Sequence, residues 1–152
     1  MSEAEAGGAR KERLRLWLCL LRTTRFVENA LREEMRLAYG HTLPRFDVLA
    51  SLDRCQEGLQ MSELSQQLMV SNGNVTGIVE RLVQDGLVER AAVAHDKRAT
   101  LVRLTAVGRQ EFAEMAAAHE GWVNGLLASI TPEDAALVSG RLKDIRNQGD
   151  GS

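Results

Sequence analysis

Apolar residues recur along this chain at two different periods, and the change between them marks its organisation. From about Lys11 to Tyr39 the spacing is helical, with Leu14, Trp17, Leu18 and Leu21 on one stripe. Leu16, Cys19 and Leu20 extend the apolar surface nearly all round the same stretch. A single domain core covers one stripe of a helix, so a second apolar face implies a partner chain. GHTLP interrupts this helix, and Pro44 suits the first turn of the next, PRFDVLASLDRC, with Phe46, Leu49, Ala50 and Leu52 facing inward. Ser62 is the expected N-cap of ELSQQLM, where Leu64 and Leu68 lie one turn apart. Val70 and Ser71 then form a two-residue step into NGNVTGIVERLVQDG. There Val75, Ile78, Val79, Leu82 and Val83 fall at i, i+3, i+4, i+7 and i+8, the cleanest amphipathic pattern in the chain. Gly86 stops it.

The period then shortens to two. LVERAAV and TLVRLT read as the strands of a hairpin on either side of AHDKRA, residues 94–99. Thr105 caps a further long helix running to about Ser129, with Gly108, Gly121 and Gly125 weakening it locally. TPED, residues 131–134, supplies a cap, a proline at the first helical position and two first-turn acids. The last helix carries Ala136, Leu137, Leu142 and Ile145. The first eight residues, MSEAEAGG, are small and polar and are expected to be disordered. The resulting organisation is a disordered tail over 1–10, a helical region over 11–43 and 106–148, and a compact lobe over 44–105. The fold class is mainly α with a small β-hairpin wing (α+β).

Composition narrows the function classes. Of 152 residues, 44% are hydrophobic and 26% charged, the balance of an ordinary globular protein. RKERLRLWLCLL places basic residues before an apolar run, but Arg15 and Arg22 break the run and no small-residue cleavage site follows. No segment approaches the roughly 20 apolar residues that span a bilayer. The chain is expected to be cytoplasmic, without a membrane partner. Cys19 and Cys55 form no CxxC pair. The net charge is −2, yet residues 71–109 carry six Lys/Arg against four Asp/Glu, while residues 110–152 carry three against seven. A basic surface in the middle of an acidic chain is what a local nucleic-acid contact requires.

Helix, short turn, amphipathic helix and charged hairpin is the order of a winged helix-turn-helix. A recognition helix packs one face on its domain and offers the other to the major groove. On NGNVTGIVERLVQDG the outward positions are Gly73, Gly77, Glu80, Arg81 and Gln84, flanked by Asn74 and Thr76. Small residues allow close approach to DNA, and Asn and Thr reach base edges or phosphates. The helix-opening amides at Ser71 and Asn72 are phosphate donors in their own right. At the hairpin, Arg98 is the candidate for minor-groove insertion, Lys97 for the backbone, and His95 for the backbone when protonated. Asp96 would hold a guanidinium in place.

VSNGNVTGIVERLVQDGLVER, DKRATLVRLT and AVGR resemble the recognition helix, wing and following helix start of MarR-type bacterial regulators. The likeness extends through HTLPRFDVLASL and MSELSQQL to the long terminal helices. It implies a homodimer with interlocked N- and C-terminal helices, a palindromic double-stranded operator, and a small-molecule or oxidant signal. For the dimer, Leu14, Trp17, Leu18 and Leu21 would bury with Leu137, Leu142 and Ile145. The implied ligand pocket lies where these helices meet the DNA-binding lobe and takes aromatic carboxylates or phenols. Trp17, Arg22, Phe26, His41 and Arg45 would line it, the alternative being core packing and ion pairs with Glu28 and Glu33. The expected function is a dimeric, sequence-specific repressor released by such a ligand.

Other classes have less to stand on. His41, His95 and His119 lie apart, with no HExxH, phosphate-binding glycine loop or GxSxG, so neither an enzyme nor a metal or other cofactor is expected. Each helix and hairpin taken alone would be ordinary core and solvated surface, and a helical interaction module without DNA binding would show the same elements. A thiol-based oxidant-sensing repressor is the alternative within the family, through Cys19. That branch places tyrosines near its thiol, whereas here Leu43 precedes Pro44 and the first helix has only Tyr39, at its end.

Overall fold

The computed structural model describes residues 2–68, 72–93 and 96–150, and for residues 72, 73 and 96–99 the backbone alone. These residues form α1 (Glu3–Tyr39), α2 (Leu43–Asp53), β1 (Leu59–Gln60), α3 (Met61–Leu68), α4 (Asn72–Gln84), β2 (Val88–Val93), β3 (Asp96–Leu104), α5 (Ala106–Leu126) and α6 (Pro132–Gly149). The mainly helical class with a small antiparallel sheet is as the periodicity implied.

The first correction is at the N-terminus, where the tail expected over 1–10 is helical from Glu3. Ser2 Oγ accepts from the Glu5 N–H at 3.3 Å, and the Glu5 carboxylate accepts from the Ser2 N–H at 2.7 Å. This capping box satisfies amides that a helix end otherwise leaves unpaired, and it outweighs the paired Gly7 and Gly8. The 37 residues of α1 make a rod about 55 Å long. Its end is docked on α5: the Tyr39 hydroxyl donates to the Glu114 carbonyl at 3.3 Å, and the Tyr39 and Trp122 ring centroids are 6.3 Å apart.

In α2, Thr42 Oγ1 caps the Arg45 N–H at 3.3 Å, with Pro44 in the first turn. Phe46, Leu49 and Leu52 are buried as expected, but so is Val48, while Ala50 is only half-buried. The reason is that α2 touches α3, α4, α5 and β3, so its inner face is wider than one stripe. Two further differences lie just beyond it. Ser62 is inside α3 and does not cap it; the Glu63 carboxylate reaches back to the Gln60 N–H at 3.2 Å. Residues 59–60, unassigned by periodicity, pair with Leu101 and Val102 as β1 and make the sheet three-stranded, in the order β1-β3-β2.

One core unites these elements. Leu64 of α3 and Val75, Val79 and Leu82 of α4 are inaccessible to solvent, with Val102 of the sheet and Met35 of α1. Phe112 and Met115 close it from α5, and the Phe46 and Phe112 rings lie 5.5 Å apart. By contrast α6 buries no residue, and α1 buries only Leu31 and Met35.

The end of α4, the end of the wing and the start of α5 meet at a backbone junction. Gly86, at φ 76°, ends α4 in a left-handed turn in which the Leu87 N–H donates to the Leu82 carbonyl at 3.0 Å and the Gly86 N–H to Val83 at 3.1 Å. The Thr105 hydroxyl donates to the Gly86 carbonyl at 2.7 Å, and the Thr105 N–H to the Leu87 carbonyl at 3.1 Å. Thr105 Oγ1 also caps the Gly108 N–H at 3.0 Å. A β-carbon on Gly108 would stand 1.9 Å from the Leu87 carbonyl oxygen. Gly108 is therefore more than a local weakness of the helix; it is the one residue type that lets α5 cross Leu87. Gly108→Ala should destabilise the fold by about 1–3 kcal/mol, the usual cost of forcing extra volume into a packed site. An unchanged urea midpoint would mean that the Leu87 carbonyl moves aside at no cost.

Candidate nucleic-acid interface

The spacing of α4 divides it into two faces, and the burial of its described side chains follows that division. Val75, Val79 and Leu82 are fully buried, and Ile78 and Val83 half-buried. Asn74, Thr76, Gly77, Glu80, Arg81 and Gln84 are exposed. Asn74, Gly77, Arg81 and Gln84, at steps of three and four, form one continuous outer strip about three turns long. Asn72 and Gly73 open this helix, with side chains outside the described residues, and Ser71 lies outside them altogether.

The hairpin pairs Val88 with Leu104, Arg90 with Val102 and Ala92 with Thr100. Its register shifts at the next step, where Val93 pairs with Asp96, so that residues 97–99 are extra on β3. Asp96, Lys97 and Arg98 are thus strand residues; their side chains, and Ala94 and His95 altogether, lie outside the described residues. Lower on the hairpin, Arg103 Nε donates to Glu89 at 2.7 Å, which anchors one strand to the other.

A groove of about 540 Å³ runs between the α1–α2 turn and α4, lined by Gly40, Thr42, Arg45, Asn74, Gly77, Ile78 and Arg81. Arg45 forms an ion pair there with Asp85, a contact that links α2 to the last turn of α4 across 40 residues of sequence. Nothing local in the sequence signals it. His41 sits beside this pair. Its Nδ1 and Arg45 Nε are buried without a hydrogen-bond partner among the described residues. Burial, and then the neighbouring Arg45 charge, push the His41 imidazole below its ordinary 6.5, opposed by Glu111 and Asp85. On the other side of α2, His119 stacks on Phe46 with centroids 4.7 Å apart.

The five residues expected to form one ligand pocket do not converge. Trp17 lines a separate groove of about 680 Å³ between α1 and α6, with Leu16, Leu20, Leu142 and Ile145. Arg22 and Phe26 are exposed along α1, Phe26 at 65%. His41 and Arg45 alone are neighbours. The rise of α1 explains the division, because Trp17 and the helix end at Tyr39 are about 33 Å apart along its axis. The residues expected at a dimer interface lie on open surface of the single chain: Leu14, Trp17, Leu137 and Ile145 are 56–59% exposed, Leu18 is 40% exposed, and Leu21 and Leu142 are half-buried. Cys19 is exposed, its sulfur 3.9 Å from Thr23 Oγ1, and Cys55 is half-buried. Among the described residues no group of three or more His, Cys, Asp or Glu could hold a metal, and no helix is long and apolar enough to cross a membrane.

The burial of His41 has a measurable sign. Above its ordinary 6.5 the imidazole is neutral in both states and adds no pH dependence. As the pH falls through 6.5 the unfolded chain takes up the proton first, and stability is lost until the lowered folded value is passed. Unfolding free energy should therefore fall between pH 7 and pH 5, and His41→Gln should show a shallower fall. Equal slopes in the two proteins would place the loss elsewhere.

Comparison with known proteins bears on the same surfaces. The sequence profile described as MarR family matches residues 39–99, which run from the end of α1 through α4 into the wing. A MarR family transcriptional regulator from Silicibacter pomeroyi, known from its crystal structure, is 32% identical, with a TM-score of 0.78 over 97% of this chain and 99% of that one. Sco3205 of Streptomyces coelicolor, a MarR family regulator crystallised in complex with DNA, has the same fold at 22% identity, with a TM-score of 0.81 over 93% of this chain and 89% of its own. The uncharacterised HTH-type transcriptional regulator YdgJ of Bacillus subtilis is 29% identical over 121 residues, 80% of this chain and 73% of its own length.

Proposed function

The chain belongs to the MarR family of transcriptional regulators, and from that premise we propose that it is a sequence-specific, double-stranded-DNA-binding repressor that acts as a homodimer on a palindromic operator. The observation that carries this reading is the division of α4. Its inner face is locked into the core, and its outer strip offers Asn74, Gly77, Arg81 and Gln84 with no apolar side chain among them. A helix held this rigidly and presented this openly meets the geometric demand of major-groove reading. Asn74 and Thr76 are assigned to base edges and Arg81 to phosphate. The amides at Ser71, Asn72 and Gly73 are assigned to phosphate as well, Arg98 to the minor groove, Lys97 to the backbone and Asp96 to holding a guanidinium.

The dimer rests on the open apolar surface of α1 and α6. An 18-residue helix with no buried side chain lacks the tertiary packing from which helices in proteins draw most of their stability. Burying Leu14, Trp17 and Leu18 with Leu137 and Ile145 against a second copy supplies it, at about 1.5–3 kcal/mol for each large apolar side chain fully removed from water. Light scattering at micromolar concentration should accordingly report about twice the 16.8 kDa of one chain; a clean monomer would remove both the dimer and the palindrome.

The signal assigned to this repressor is a small aromatic acid. The groove beside α4 has room for one ring, and an anion there would meet Arg81 and Asn74, side chains also assigned to DNA.

Selection of bound fragments from a genomic pool, followed by a screen of aromatic acids for release, tests the whole reading. On the recovered operator, Asn74→Ala or Thr76→Ala should weaken specific binding by about 1–3 kcal/mol and random-sequence binding much less. Arg98→Ala should cost at least tenfold, about 1.4 kcal/mol, with melting unchanged, and Lys97→Ala should flatten the salt slope by about one. Equal losses on operator and random DNA would reassign Asn74 and Thr76 to phosphate or helix structure.

A further inference from the structure

The outer strip of α4 carries a charge conflict that the fold resolves from outside the helix. Asp85 continues the last turn of α4, its N–H donating to the Arg81 carbonyl at 2.9 Å, so Arg81 and Asp85 stand one turn apart on one side of the helix. A carboxylate at that spacing is the natural partner of the arginine before it, and an arginine so engaged is a poorer ligand for phosphate. Yet Asp85 is bound to Arg45 of α2, and among the described residues Arg81 has no ion-pair partner.

The physics favours that choice. Arg45 is only 17% exposed, with its backbone fixed by the Thr42 cap, so its charge acts through a poorly hydrated medium on a carboxylate that is half exposed. An Arg81–Asp85 pair would be exposed and screened, and a base preceding an acid at i, i+4 is the weaker order on a helix. Arg45 and Arg81 both line the same groove, and Arg81 stands one helical turn before Asp85, so without Arg45 the carboxylate still has a guanidinium within one turn.

We propose that Arg45 is a positioning residue for DNA recognition: by engaging Asp85 it keeps that carboxylate off Arg81 and leaves the Arg81 guanidinium free for a DNA phosphate. This rests on the regulator reading above. Arg45 itself touches no DNA in this arrangement. Its effect runs through Asp85, and removing the acid together with Arg45 makes Arg45 dispensable.

The test compares the parent with R45Q, D85N and the R45Q/D85N double variant, on the selected operator across a salt series. R45Q should bind about twofold more weakly, the strength of an exposed i, i+4 pair, with a smaller salt slope because Arg81 engages phosphate less often. D85N should bind at least as tightly as the parent, and the double variant should recover both affinity and slope. A double variant as weak as R45Q overturns the proposal, because Arg45 would then act on DNA directly or through the fold. A DNA-free readout accompanies it. The Arg81 Nε–H resonance in the free protein should move in R45Q and return to its parental position in the double variant; a resonance that stays still in R45Q also overturns the proposal. A parent chain that retains no DNA fragment, while this resonance still moves and returns, refutes the regulator reading and upholds the charge sorting.

Discussion

The carbonyl of Leu87 is the point on which the geometry of the molecule turns. It accepts from the Thr105 N–H, and α5 crosses it so closely that only a glycine fits at position 108. Gly86 beside it ends α4, and Thr105 follows β3 and caps α5. Three elements thus take their directions from two adjacent peptide units. Hydrogen bonds of this kind contribute modestly to net stability, about 1 kcal/mol each. Their larger effect is to exclude alternatives: α5 cannot slide without stranding a buried carbonyl, and α4 cannot tilt without moving the start of α5.

From that junction the chain divides into surfaces of opposite character. Around α2, α3, α4 and the sheet, apolar side chains close on each other. Along the first 28 residues of α1 and all of α6 none is buried. Among the ion pairs of the described residues, Arg45–Asp85 alone joins two helices of the lobe with one partner largely buried, whereas the α1 pairs Arg15–Glu12 and Arg36–Glu33 are exposed neighbours of the kind that contribute little.

Much of this was legible in the sequence because it is written locally. The faces of α4 follow from five apolar residues at helical spacing, the hairpin from a change of period, and the starts of α5 and α6 from Thr105 and Thr131, which cap them as read. The features that escaped are of two kinds. β1 is two residues long and exists only because β3 lies beside it, so it carries no periodicity of its own. The Arg45–Asp85 pair and the Gly108–Leu87 crossing join positions 40 and 21 apart, where one sequence holds no record of contact. α1 starts early because the Ser2–Glu5 capping box outweighs the small, polar composition of MSEAEAGG, its two glycines included. Trp17 and His41 do not converge within one chain because a long helix that places residues on one face also places them far apart.

The continuity of α1 gives it the mechanics of a lever. A rod about 55 Å long that pivots by about 5° at its docked end sweeps its free end through about 5 Å. In a pair of such chains joined through their terminal helices, small rotations at Tyr39 and Trp122 would be converted into changes in the distance between the two α4 helices. Successive major grooves on one face of DNA are about 34 Å apart. A displacement of a few ångströms against that fixed ruler would take both α4 helices of the proposed dimer out of step with the duplex, without altering any side chain proposed to touch it.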